Sequence, residues 1–121
     1  MLGVVDAAQA IADLTDISPQ VQRVAVIAAD GSIIGANLDA DAAQRLADGA
    51  RALVDAAAEV RSDVAQLEAA TVSGSVFVVT DGERLIAATT TPEPTVGLVF
   101  YDLKTCLRSI DEPKKAKDAA A

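Results

Sequence analysis

A three-layer α/β/α sandwich, an α+β domain built on one five-stranded antiparallel sheet, is the architecture this sequence predicts. Three observations lead there. Helical and strand periodicities alternate in the order helix, two strands, helix, three strands, helix. Two of the strand segments are apolar at consecutive positions, so both of their faces need cover. The apolar material is aliphatic: 51% of the 121 residues are apolar and only 2% aromatic, which suits Val- and Ile-rich strands under Ala-rich helices. Three helices must then be divided between the two faces of one sheet.

The first helical pattern carries Val4, Val5, Ala8, Ile11, Ala12 and Leu14. It ends before Ser18-Pro19, because the residue preceding a proline is pushed out of the helical region. In VQRVAVIAADGSIIGANL, two β-rich runs flank Asp30-Gly31, a pair suited to a type I′ hairpin turn. Val24 to Ala28 is apolar throughout and should be buried on both sides. The long helix, AAQRLADGARALVDAAAEVRSDVAQL at 42–67, starts from Asp41, with Gln44 completing a variant capping box, or from the rival cap Asp39. Metal or acid–base roles for these acids are far weaker explanations than capping.

From Leu67 the period returns to two. LEAATV, SVFVVT and RLIAATT are separated by Ser73-Gly74 and by Asp81-Gly82. The last helix places Val96, Val99, Leu103, Cys106, Leu107 and Ile110 on one stripe. Thr91 can cap it, with Pro92 in the first helical position, or Thr95 can cap it after both prolines. Residues 1–112 read as a single domain, and 113–121, in which KKAKDAAA shows no pattern, as a disordered tail.

The long helix is apolar over too wide an arc for a helix resting on one core. At 100° per residue, Leu46, Leu53, Ala57, Val60, Val64 and Leu67 form a stripe expected to face the sheet. Ala47, Val54, Ala58 and Ala65 lie about a quarter-turn away, with Arg61 also on this side. This flank of small residues predicts close approach by the same helix of a second copy. Gly49, on the other shoulder of the stripe, predicts relief of close packing there. Arg45, Asp48, Arg51, Asp55 and Glu59 occupy the polar side and are the candidate partner-binding residues, with Arg45 and Arg51 the best hot-spot candidates.

Composition excludes several kinds of chemistry. The formal charge is -8, which disfavours nucleic acid and bare anionic membrane as partners. With no His and one Cys, on the buried stripe of the last helix, zinc sites and Cys–His nucleophiles have no material. GxxxxGK[ST] and GxGxxG are both missing, so no nucleotide cofactor is expected, and no catalytic residue is nominated. Ser32, Ser73 and Ser75 stand beside turn glycines, as serine ordinarily does. Tyr101 and Asp102 can mark an exposed polar edge, or nothing more than a solvated surface. The single cysteine argues for a reducing compartment, and the N-terminal stretch lacks the basic start and long apolar core of a signal peptide. A cytoplasmic location follows as the expectation.

In order and spacing, the Asp30-Gly31 hairpin, the Ala-rich long helix, GSVFVVTDGERLIAATT around Asp81-Gly82 and TVGLVFYDLKTCLRSI resemble the Roadblock (dynein light chain type) family, in its stand-alone prokaryotic form. The likeness covers about residues 4–110. It implies an αββαβββα fold with the long helix on one sheet face and two helices on the other. It also implies a homodimer in which the long helices pair and the sheets join through the third strand, adding Ala69 and Thr71 to the interface. Family members are scaffolds and regulators of small Ras-like GTPases, or dynein light chains, and are not enzymes. A Ras-like GTPase partner is the resulting expectation. A structural adaptor in a signalling or motor complex and a small-ligand sensor are the alternatives.

Overall fold

A computed structural model describes residues 6–110, so Val4, Val5 and the segment 113–121 lie outside the described residues. Helix α1 (Ala7–Ile17) starts where the Asp6 carboxylate accepts the Gln9 N–H at 2.8 Å and stops at Ser18, ahead of the proline. Strands β1 (Val21–Ile27) and β2 (Ile33–Ala36) follow, then helix α2 (Ala40–Val60). Strands β3 (Gln66–Thr71), β4 (Gly74–Thr80) and β5 (Leu85–Thr90) lead to helix α3 (Val96–Ser109). The five strands form one antiparallel sheet in the order β2-β1-β5-β4-β3. Pairing of β1 with β5 closes the centre, and β2 and β3 are the edges.

Two apolar clusters, one on each face, make this a three-layer sandwich. On one face α1 and α3 cover Val24, Val26, Phe77, Val79, Ile86 and Ala88. Phe77 anchors that side, with the Phe100 ring edge-on to it at 4.9 Å. On the other face α2 covers Ala25, Ile27, Val78, Leu85 and Ala87. The central strands are buried on both faces, as their unbroken apolar runs require. Edge strand β3 differs: only Leu67 and Ala69 are half-buried, both on the α2 side, and Val72 falls in the turn, almost fully exposed.

Several local expectations need correction. The β1–β2 turn is not type I′, which requires positive φ at both central residues. Gly31 alone has it, at 91°, and its N–H bonds to the Ala28 carbonyl at 2.9 Å. Ala28 also donates to the Ser32 carbonyl, so the loop holds three residues, the longer hairpin form that ends in a left-handed glycine. Its Asp30 carboxylate accepts from both the N–H and the hydroxyl of Ser32. At α2 the cap is Asp39, which accepts the Ala42 N–H at 2.8 Å. Gln44 bonds Asp48 instead of closing a capping box on Asp41. At α3 the cap is Thr95, not Thr91, and the Gln20 side chain accepts its N–H at 2.6 Å.

Gly74 opens β4 with φ 145°, and a Cβ there would collide with the Thr90 carbonyl oxygen. No other residue satisfies both conditions. The β3–β4 hairpin can therefore lie tight against the end of β5.

Candidate protein-interaction surface

Helix α2 sits on the sheet by its smallest residues. Ala43, Ala47, Ala50 and Val54 are its buried positions, and they meet a sheet face that includes Ala25 and Ala87. Small side chains on both sides let the backbones approach closely. The larger Leu46 and Leu53 then lie along one side of the contact, half-buried on its shoulder. This corrects the stripe assigned from sequence. Ala47 and Val54, expected to meet a second copy, lie in the monomer core, while Leu46 and Leu53 pack only at its margin, Ala57 is half-buried and Val60 is exposed.

The helix also ends at Val60, short of Leu67, with Arg61 as its C-cap and Asp63 in the left-handed region at φ 60°. Val64 and Leu67 reach the same apolar cluster from the connecting segment and from β3, which is why the apolar spacing of the sequence runs on past the helix. Of the remaining interface candidates, Ala58, Arg61, Ala65 and Thr71 are exposed and Ala69 is half-buried. The Thr71 hydroxyl is occupied, donating to the Gly74 carbonyl at 2.6 Å.

One further row on α2 is not distinguished by residue type along the sequence and becomes distinct through its burial. Ala42, Leu46, Gly49, Leu53, Ala56 and Val60 follow spacings of four, three, four, three and four, the same alternation that helix-pairing seams use. Ala42, Leu46 and Leu53 are half-buried, Gly49 and Ala56 exposed, and Val60 is 82% exposed. A Cβ at Gly49 would meet nothing within 4 Å. No crowding inside the monomer explains a glycine that costs the helix about 1 kcal/mol relative to alanine.

The sheet beneath is open on the same side. Helix α2 lies mainly over β1, β2 and β5. Leu67, Ala69 and Val76, on the α2 face of β3 and β4, are only half-buried, and β3 is an unpaired edge. Such an edge, six residues long and without proline or lysine, is ordinarily covered or paired. Arg45, Asp48, Arg51, Asp55 and Glu59 are all exposed on α2.

Elsewhere the side chains read as structure. The Cys106 thiol is buried and donates to the Ala10 carbonyl at 3.5 Å. Burial, helped by the nearby Asp13 charge, pushes it up to about 11. Near neutral pH it should resist a disulfide reagent in the folded protein and react promptly in denaturant; fast labelling of the native state would contradict this placement. Tyr101 is exposed, whereas Asp102 beside it is buried, so the two do not form one polar edge. Among the described residues no group of three or more His, Cys, Asp or Glu side chains is placed to hold a metal ion. No helix among them is long and apolar enough to cross a membrane.

By sequence, no family model and no curated protein matches the chain. By structure it matches a Roadblock/LC7 domain from Streptomyces avermitilis with a TM-score of 0.76 at 21% identity, over 87% of this chain and 94% of that one. MglB of Myxococcus xanthus matches with a TM-score of 0.66 at 15% identity, over 85% and 83% of the two chains. The gliding protein MglB of Thermus thermophilus matches with a TM-score of 0.64 at 13% identity, over 88% and 86%. Agreement over nearly the whole length, at identities this low, is agreement in architecture: the chain has the Roadblock/LC7 fold.

Proposed function

We propose that this chain is a non-catalytic, homodimeric regulator or scaffold whose paired long helices form a platform for a small Ras-like GTPase. The observation that carries the proposal is the outward seam Ala42-Leu46-Gly49-Leu53-Ala56-Val60, standing on the same sheet face as the open edge of β3. Pairing of two copies would cover both. The seam replaces the Ala47–Val54 flank as the helix contact, with Ala69 and Thr71 retained at the strand edge.

The choice of a GTPase rests on the Roadblock resemblance, and the shared fold supports it. A dimer would turn the charged sides of both helices, with Arg45 and Arg51, towards the partner. Contact there can bias a mobile switch loop towards one conformation and so alter hydrolysis or exchange without donating a catalytic group. Differential affinity for the two nucleotide states is the whole of such a mechanism.

Pull-down from native cell extract with the purified chain, followed by mass spectrometry, tests this. Recovery of a Ras-like GTPase that prefers one nucleotide state, reduced by Arg45→Glu or Arg51→Glu, is the expected result. Recovery of only non-GTPase partners would overturn it and favour a structural adaptor.

A further inference from the structure

We propose that the outward face of α3 is a docking surface for an acidic, partly apolar segment of a partner protein. This face lies across the sheet from the α2 seam and is separate from the platform described above. Leu98 and Tyr101 are exposed by 50% and 63%, and Lys104 and Arg108 are exposed one and two turns further along. Tyr101, Lys104 and Arg108, at spacings of three and four, share the crest of the helix. The helix exposes no acidic side chain, because Asp102, its one acid, is buried. In a chain of formal charge -8, a helix face holding two cations and no anion is a local reversal of sign.

Beside the crest runs a groove of about 200 Å³, walled by Ala65, Val79 and Leu107, with Lys104 and Arg108 at its lip. Asp81 also borders it, but its carboxylate is paired with the Arg84 guanidinium at 3.3 Å, and among the described residues no acid forms an ion pair with Lys104 or Arg108. The groove is wide enough for one aliphatic side chain, and the two cations can receive carboxylates on either side of it. Arg108 on the slot and Tyr101 on the adjoining crest are residue types enriched in protein-binding hot spots. Anionic membrane fits less well, since lipid-binding clusters use four to eight basic residues. Nucleic acid would meet the strong negative field of the rest of the molecule.

The test uses the full chain and a fluorescein-labelled peptide of repeated Glu-Glu-Leu triplets, followed by fluorescence polarisation. Saturable binding that weakens as salt is raised is expected. The K104E/R108E double variant should bind about tenfold more weakly while melting at the same temperature, because both side chains are exposed. A Glu-Glu-Gln peptide should lose binding, since it has nothing for the groove. Amide NMR shifts should move along residues 98–108 and at Ala65 and Val79. Equal binding of a Lys-Lys-Leu peptide, an unchanged affinity in the double variant, or shifts confined to α2 would each overturn the proposal. So would capture by phosphatidylserine vesicles with no binding of the peptide.

Discussion

In the homodimer proposed above, glutamate placed at both Ala56 and Val60 should yield a monomer with its fold unchanged. Both positions are exposed in the single chain, so the new carboxylates cost the monomer little. Across a two-fold axis the same changes would set several like charges into an apolar seam, a penalty of several kcal/mol. Light scattering at micromolar concentration should therefore show half the mass of the parent, with the same far-ultraviolet dichroism. Val54→Glu provides the contrast. Val54 is 9% exposed within the apolar cluster between α2 and the sheet, so an ionised carboxylate there should unfold the chain or melt it well below the parent. If the A56E/V60E protein keeps the parent mass, the seam is not the dimer contact. If Val54→Glu instead yields a well-folded monomer, the flank expected from sequence is restored.

Replacing Arg84 by alanine should destabilise the fold by about 3 kcal/mol, measured by urea unfolding. Arg84 is only 4% exposed, a rare degree of burial for an arginine. Its guanidinium donates to the Asp81 carboxylate at 3.3 and 3.4 Å and to the Ile110 carbonyl at 3.2 Å. The first contact closes the β4–β5 turn, and the second ties down the residue that ends α3, where a cation is favoured. Removing the fork leaves a buried carbonyl without this donor and loosens the C-terminus of α3, which Leu107 and Ile110 still anchor in the core. Lysine should restore only part of the loss, because it lacks the planar fork.

The same site sets a pH dependence. Burial alone would raise the Asp81 carboxyl, but the N–H groups of Arg84 and Glu83 and the guanidinium outweigh it and hold Asp81 below the ordinary 3.8. A carboxylate depressed in the folded state stabilises the fold above its unfolded value. That contribution is lost as pH falls through the lower folded value. Asp81→Asn should therefore flatten the acid limb of a stability–pH curve, and an unchanged limb would count against the pairing.

Much of the fold was legible in the sequence because its causes are local. The shift between periods of two and three to four placed all eight elements, and Pro19 and the Asp-Gly pairs placed the turns. The Val24 to Ala28 run and the middle strand announced burial on both faces, and with it a third layer. Choices between near-equal local options were less legible. Asp39 is distinguished from Asp41 by one short hydrogen bond from the Ala42 N–H, whereas Thr95 caps without a side-chain bond and has its own N–H held by the distant Gln20 side chain.

By itself, the sequence determined the order of elements, the three-layer plan and the presence of an apolar excess on α2, since each depends on residue type and spacing along one segment. Only the tertiary structure decided which side of α2 meets the sheet. A helical wheel favours the leucines, as the most apolar side chains, for the core. The opposing sheet face sets Ala25 and Ala87 among the larger Ile27, Val78 and Leu85, and close packing against it favours the helix side whose small residues let the two surfaces touch. That preference belongs to the pair of surfaces rather than to either segment. It turned Ala47 and Val54 inward and left Leu46, Leu53 and Val60 as the side available to a second molecule.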